Sequence, residues 1–540
     1  MTIPAGLDTF AGLWSQTVET RPRATFLRFE APDGSTTEWT YEGFDREVRR
    51  IATRLRAAGA SEQRGVHLVL TNSPQFVALW LAANSIGSYI VPSDPMGTVS
   101  ELTEHIVRTE PAVGVCATSR ADTYRAALAD TAQRELEVIE VDEGRPELAS
   151  LGVDHGNAPT TSITGGQRAA VMFTSGTTGR PKGVVVTQAN YAFAGATMAE
   201  ACDLQPEDRQ LVVLPLFHAN AQYYSFASAI AVGASVALMH TFSASRFVEQ
   251  AARHGATHAS LFAGPMRMIL ARGAPLDTSV GLPALRLRHC WFAQNLGADQ
   301  YTTLAEWFGC RPRQLYGMTE TIPAVLTDSI DDPRPDTMGH VTEGCVVDVQ
   351  RADGVSCAPD EVGEIVVGGV PGDTLFGGYL DDVHTTTTSY RNGWFLTGDR
   401  AWRDADGRYH FDGRRSDVLK VSGENVSIVE VEAALTEHPG VFEAVVVGVP
   451  DDIRDEVPVA FVVPAPDRER ADDLANVLDQ WCAQRLGKAK RPTRFIVIDE
   501  LPRTSVGKIR KFLLTEAAQH APSSEHQTTS TPSSPAEAVS

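Results

Sequence analysis

Basic residues are outnumbered in this chain. Its 540 residues carry 47 Lys and Arg against 68 Asp and Glu, for a net charge of −21 and a pI of about 5.1. A surface this acidic argues against nucleic acid or an anionic membrane as partner, while small anionic ligands, which feel local fields, stay open. Cysteine is scarce. The seven thiols are scattered, with no C-x-x-C pair and no metal-ligand spacing, so they read as the reduced thiols of a cytoplasmic protein. Long hydrophobic runs are missing too. The most apolar helix candidate, 76–90, is interrupted by Asn84, Ser85, Gly87 and Ser88, and is too short and polar to span a bilayer. The N-terminus lacks the basic segment and apolar stretch of a signal peptide, and no internal repeat is found. What remains, 43% apolar and 21% charged residues, suits a soluble globular protein with a large core.

The pattern of that core is alternating. Strands are expected over 23–30 and 36–40, joined by a turn at Asp33-Gly34. A helix follows, with Phe44, Val48, Ile51 and Leu55 on one face. Short apolar runs at 66–70, 113–117, 210–216, 235–239, 259–263 and 289–293 read as strands, with helical segments such as 74–83, 245–254 and 299–308 between some of them. Strands alternating with helices predict parallel sheets covered by helices, an α/β fold. From Val418 onward the elements form a compact α+β unit, with strands at 442–449, 457–463 and 494–498 and a helix near 428–437. A domain boundary is therefore expected near Gly413 to Asp417, where charge and glycine interrupt the pattern, and the Ser/Thr/Pro-rich stretch 519–540 reads as a disordered tail.

Five strings carry the chemistry. Thr174-Ser-Gly-Thr-Thr-Gly-Arg-Pro-Lys-Gly183 crowds glycines, hydroxyls and two basic residues after a short apolar strand. Its glycines let backbone N–H groups approach an anion, the hydroxyls add donors and Lys182 adds charge. It is not a Walker loop, because two residues rather than four separate Gly176 from Gly179 and Gly183 follows Lys182. Alone, it fits a flexible surface loop equally well. Gln314-Leu-Tyr-Gly-Met-Thr-Glu-Thr321 offers Tyr316 to stack on a purine, Thr319 to bond a phosphate and Glu320 to hold Mg²⁺ through a hard oxygen; a strand end with one satisfied Glu reads the same way. In Gly393-Trp-Phe-Leu-Thr-Gly-Asp399 the aspartate either accepts ribose hydroxyls or closes a turn. Gly413-Arg-Arg-Ser-Asp-Val-Leu-Lys-Val-Ser-Gly-Glu-Asn-Val426 brings two arginines that by default form a solvated face, and Lys508 of Leu501-Pro-Arg-Thr-Ser-Val-Gly-Lys508 by default sits on the surface.

Together and in this order, the strings resemble those of the adenylate-forming superfamily, which includes acyl- and aryl-CoA synthetases, peptide-synthetase adenylation domains and luciferases. The resemblance spans about residues 10–515. It implies a large N-terminal domain of α/β subdomains over 1–413, a hinge at 414–417 and a small mobile C-terminal domain over 418–518, with ATP and Mg²⁺ as cofactors and CoA as the expected acyl acceptor. Residues Thr174, Ser175, Gly176, Thr177, Thr178, Gly179 and Lys182 then hold phosphate, and Tyr316, Gly317 and Thr319 complete the nucleotide site. Glu320 and Thr174 are the implied metal ligands. Asp399 and Arg414 take the ribose, Gly423 lies beside the pantetheine path, Ser416 is the hinge in place of the usual Asp or Lys, and Lys508 bridges the attacking carboxylate and the α-phosphate.

Leu214-Pro-Leu-Phe-His218 resembles the family motif whose last residue gates the acyl pocket, giving His218 a catalytic role. The flanking Asn220 and Gln222, with YGMTET and GENVS, look most like the carnitine/crotonobetaine-CoA ligase branch. Where relatives show Gly-Ala-Pro, this chain has Ala293-Gln294-Asn295. Amides at Gln294, Asn295, Asn220 and Gln222 predict a small or polar acid, aromatic acids included, rather than a long fatty chain. Some members of the branch activate nitrite to diazotise aryl amines, and an amine or a carrier protein in trans is a further alternative acceptor. No nucleic acid and no membrane is expected as partner; a homodimer is allowed.

Overall fold

The computed structural model describes residues 8–148, 151–152, 162–174, 181–276, 281–294, 296–414, 418–421, 424–451, 454–465, 474–503 and 509–520. The chain divides into two compact units, residues 1–348 with 366–396, and residues 349–365 with 397–540.

Two sheets dominate the first unit. In a nine-stranded sheet, six neighbouring strands run parallel: Arg313–Tyr316, His289–Phe292, His258–Ser260, Arg209–Val212, Ser235–Met239 and Thr25–Glu30. The hairpin expected at Asp33-Gly34 forms, Thr25–Glu30 pairing antiparallel with Thr36–Thr40. The second sheet has six strands, Val138–Val141, Val113–Ala117, Val66–Val69, Ile90–Pro92, Arg168–Thr174 and Lys182–Thr187, all parallel except the last pair. Helices cover these sheets. Tyr41–Ala57 buries Phe44, Val48, Ile51 and Leu55, as its periodicity predicts, and Thr40 caps it by accepting from the Gly43 N–H. Helix Pro74–Ser85 is buried on all sides, which explains why it has apolar residues at every phase.

Two expectations need correction. The strand expected over 210–216 ends at Val212, because Pro215 interrupts it and the chain turns there. The run 259–263 is split: the strand is His258–Ser260, and Ala263 begins a helix, Ala263–Arg272.

A third sheet, of five strands, includes Trp394–Arg403 and Tyr409–Arg414 as an antiparallel pair. In the second unit, another five-stranded sheet (Glu424–Ser427, Val418–Val421, Asp455–Pro464, Val441–Asp451, Arg494–Val497) has Ile428–Thr436 and Leu474–Arg485 packed on one face through Val431, Leu435 and Leu478, and Lys511–His520 on the other through Leu514 and Ala518. This is the α+β unit that the sequence pattern implies. Among the described residues, no helix is long and apolar enough to cross a membrane.

Candidate active site

The glycine-rich string begins on one strand and ends on its neighbour. Thr174 pairs with Lys182 and Phe173 with Gly183, so the sheet fixes both ends of the loop. Residues 175–180, which include Ser175, Gly176, Thr177, Thr178 and Gly179, lie outside the described residues. The loop's flanks are braced. His105 stacks on the Phe173 ring at 3.9 Å, and Arg108 lies over the same ring while donating to the Pro181 carbonyl at 2.6 Å.

Segment 377–380 is zipped onto the strand that leaves the loop. Gly377 N–H donates to Val185 O, Val185 N–H to Gly378 O and Leu380 N–H to Gly183 O, at 2.7–3.0 Å. The glycines are needed here. Gly378 has φ 114°, and a Cβ on Gly183 would stand 3.2 Å from the Leu380 Cβ. The zipper sets Tyr379, which is buried (8% exposed). The Lys182 ammonium lies over its ring, 4.8 Å from the centroid. Its hydroxyl donates to Glu320 Oε1 at 3.1 Å. Burial pushes the Tyr379 phenol up, and the Glu320 carboxylate pushes it further, so it stays a proton donor. The backbone of Glu320 is held by the same segment, since Phe376 N–H donates to its carbonyl at 3.0 Å.

Glu320 sits in a tight turn, Thr319–Thr321, after the strand Arg313–Tyr316. Gly317 has no room for a side chain: a Cβ would meet Pro323 O at 2.9 Å and the Tyr224 hydroxyl at 3.0 Å. Ile322, fully buried, takes φ 72° and ψ −80°. A β-branched residue there is strained by roughly 1–3 kcal/mol, and Pro323 has no N–H to close the turn. The surrounding packing therefore over-determines a conformation that the local sequence disfavours, and Glu320 (4% exposed) is the carboxylate it presents. Tyr316 and Thr319 flank it on the same loop. The donor set suits Mg²⁺: a hard carboxylate oxygen at Glu320 and a hydroxyl at Thr174, with no cluster of three or more His, Cys, Asp or Glu among the described residues. Mg²⁺ characteristically takes one or two carboxylates and otherwise water and substrate phosphate.

In the second unit, Asp399 and Arg414 are cross-strand partners, with Arg414 Nε 3.1 Å from Asp399 Oδ1. Asp399 is buried and Arg414 exposed. Gly398, just before the aspartate in the same strand, has a left-handed backbone with φ 74°. Ser416, Gly423 and Lys508 lie outside the described residues, as does Asn295.

The amides expected in the acyl pocket divide. After the turn at His218, whose ring packs on Phe217 at 4.4 Å, the chain enters a π-helix, Asn220–Ala227. Such wide turns recur at functional sites. Asn220 is 5% exposed, and neither amide atom has a partner among the described residues. Gln222, by contrast, is committed: its Oε1 accepts from the Tyr191 hydroxyl and its Nε2 donates to Leu216 O. Both of these bonds brace the turn before the π-helix. Gln294 has a left-handed backbone (φ 77°) and an exposed side chain, and its carbonyl accepts from the Gln314 amide at 3.4 Å.

Sequence reasoning missed three side chains. Ser260 and Trp291 are register partners at the carboxyl ends of adjacent parallel strands, and Ser260 Oγ and Trp291 Nε1 are buried without partners among the described residues. The π-helix packs against the strand of Ser260. Ligands in open parallel sheets bind beyond those strand ends. The third is Tyr379, for which the adjacent Gly377-Gly378 pair was the available signal of a close backbone approach.

Known proteins match this arrangement along its length. The family described as AMP-binding enzyme matches residues 14–380, and AMP-binding enzyme C-terminal domain matches residues 430–508. A crotonobetaine/carnitine–CoA ligase of Salmonella arizonae is 30% identical over 516 residues, 93% of this chain and 97% of the relative. One of Escherichia coli O7:K1 is 30% identical over 507 residues, covering 92% and 97%. ATP-bound MatB from Rhodopseudomonas palustris superimposes with a TM-score of 0.83 at 25% identity, covering 94% of this chain and 99% of that one. The o-succinylbenzoate CoA synthetase of Bacillus subtilis, with its acyl-adenylate, gives 0.79 at 25% identity, covering 95% and 99%.

Proposed function

The chain belongs to the AMP-binding enzyme family, and on that premise we propose that it activates a small or polar carboxylic acid as its acyl-adenylate and passes the acyl group to CoA. It is an AMP-forming enzyme of the acyl-CoA synthetase kind; the acid and the acceptor are the proposal. The observation that carries the reading is the convergence of Lys182, Tyr379 and Glu320 at the end of the glycine-rich loop, which joins a phosphate-binding cation to a buried carboxylate.

A carboxylate is a poor acyl donor, because its leaving group would be oxide. Attack of a carboxylate oxygen on the α-phosphorus of ATP expels pyrophosphate and leaves AMP as a good leaving group. Both reactants are anions, so the site must supply positive charge where they meet. Lys182 and the loop's donors would take the phosphates, and Asp399, steadied by Arg414, would take the ribose. Glu320 and Thr174 are the residues that would hold Mg²⁺, whose charge would offset that of the phosphates when bound. Lys508 would bridge carboxylate and α-phosphate in the first step. A thiol then attacks the adenylate carbonyl and releases AMP. The hinge at 414–417 is the proposed pivot that separates the two half-reactions.

For the acid, Asn220, Ser260 and Trp291 support a substrate with its own hydrogen-bonding group. A buried amide left unpaired costs about 1–3 kcal/mol, and a complementary substrate recovers that where a hydrocarbon cannot. The relatives are named for crotonobetaine and carnitine, and the o-succinylbenzoate enzyme for another compact acid. The test is pyrophosphate release across a panel of carboxylic acids, with and without CoA. Release that depends on a polar acid, with AMP formation that depends on CoA, is the expected result. Release that needs nitrite and an aryl amine instead would assign the enzyme to diazotisation.

A further inference from the structure

Lys182 lies on a strand of the six-stranded sheet and Glu320 in the turn after a strand of the nine-stranded sheet, in different sequence motifs, yet one side chain touches both. We propose that Tyr379 is a positioning residue for adenylation, its ring face holding the Lys182 ammonium and its hydroxyl holding the Glu320 carboxylate at a set separation. This rests on the adenylation reading of the site.

The two contacts do different work. Lysine ends a flexible four-carbon stem, and an aromatic face restricts where its ammonium rests. A tyrosine hydroxyl is a neutral donor. It fixes the orientation of a carboxylate without itself bringing a charge, as a lysine or arginine partner would. Tyr379 is itself immobilised. Its N–H donates to the Thr386 hydroxyl at 2.9 Å, the Phe376 ring packs edge-on at 4.9 Å, and the backbone on either side is hydrogen-bonded to the strand after the loop. Movement of the loop strand and movement of the Glu320 turn therefore reach the same ring.

The two contacts are separable by substitution. Tyr379→Phe keeps the ring over Lys182 and deletes the bond to Glu320; Tyr379→Leu deletes both. The full-length chain is titrated with Mn²⁺ in the presence of a non-hydrolysable ATP analogue, followed by electron paramagnetic resonance, and kcat and KM for ATP are taken from pyrophosphate release. For Tyr379→Phe, Mn²⁺ affinity and kcat are expected to fall about tenfold, the usual scale for a hydrogen bond to a charged group, with KM for ATP within about twofold of wild type. Tyr379→Leu should also raise KM for ATP several-fold. Wild-type Mn²⁺ affinity and kcat in a folded Tyr379→Phe variant would overturn the proposal. So would identical losses in both variants tracking a lowered melting midpoint, the mark of a purely structural side chain. If wild type releases no pyrophosphate with any acid, the adenylation reading fails, and the Mn²⁺ titration still decides whether Tyr379 holds Glu320.

Discussion

Acid should unfold the first unit early, and the reason lies in three fully buried histidines. His67 is wedged between the Tyr124 hydroxyl at 2.7 Å and Ser93 Oγ at 2.8 Å; burial lowers it to about 3, helped by nearby His105. His258, between Thr257 Oγ1 and the Cys202 carbonyl, is lowered to about 4, burial outweighing the Cys202 bond and Asp208. His289 is pushed well below the ordinary range, first by burial and then by Arg313 and His258. A histidine whose folded value is depressed contributes stability above its unfolded value near 6.5, and that stability is lost as pH falls below it toward the folded value. Between pH 7.5 and 5.5 each ring costs the folded state on the order of 1 kcal/mol, and the three together about 3–4 kcal/mol, a large part of a typical 5–15 kcal/mol. The assay is urea unfolding at the two pH values. At a slope of about 2–4 kcal/mol per molar, the midpoint should drop by roughly 1–2 M. His258→Gln removes one titrating ring and should shrink the drop by that ring's share, on the order of 1 kcal/mol. Equal wild-type midpoints at pH 7.5 and 5.5, or a His258→Gln variant with the full wild-type drop, would refute the reasoning.

Three further outcomes are expected. Glu320→Ala should leave the fold intact while pyrophosphate release falls roughly 100-fold or more; wild-type-like release at limiting Mg²⁺ contradicts the role given to this carboxylate. Asn220→Leu replaces a buried amide without a partner among the described residues with an apolar side chain of similar size, so stability should hold or rise by about 1 kcal/mol while preference moves about tenfold toward apolar acids; an unchanged substrate ranking removes Asn220 from the pocket. Lys508→Ala should lose pyrophosphate release yet still consume a synthetic acyl-adenylate with its acceptor, and Ser416→Pro should do the reverse by fixing φ at the hinge; equal loss of both halves with Lys508→Ala would contradict the separation of the two steps.

The legible parts of this protein were those whose chemistry is local. The glycine-rich string and YGMTE carry their donors, carboxylate and tight turns within a few residues, and the strands that hold them are short apolar runs bounded by breakers. Partnerships between distant residues were not legible. Tyr379 matters because segment 377–380 pairs with residues 183–185, a contact that no local pattern encodes. The partners that hold the Gln222 amide, Tyr191 and Leu216, are likewise set by packing and by the π-helix, which has no sequence period of its own. The π-helix also buries the Asn220 amide, which has no partner among the described residues, and Ser260 and Trp291 become neighbours through strand register alone. Ile322 is the opposite case, a residue whose local preference is overridden by the turn it is packed into.

The central claim is that a carboxylate oxygen attacks the α-phosphorus of ATP. Isotope transfer tests this bond directly. The acid that gives the fastest pyrophosphate release is supplied with ¹⁸O in both carboxylate oxygens, the reaction is run to completion with ATP and CoA, and the AMP is weighed by mass spectrometry. An acyl-adenylate route leaves one carboxylate oxygen on the phosphate, so each AMP should carry one ¹⁸O. Unlabelled AMP, or ADP and phosphate as the nucleotide products, would contradict it.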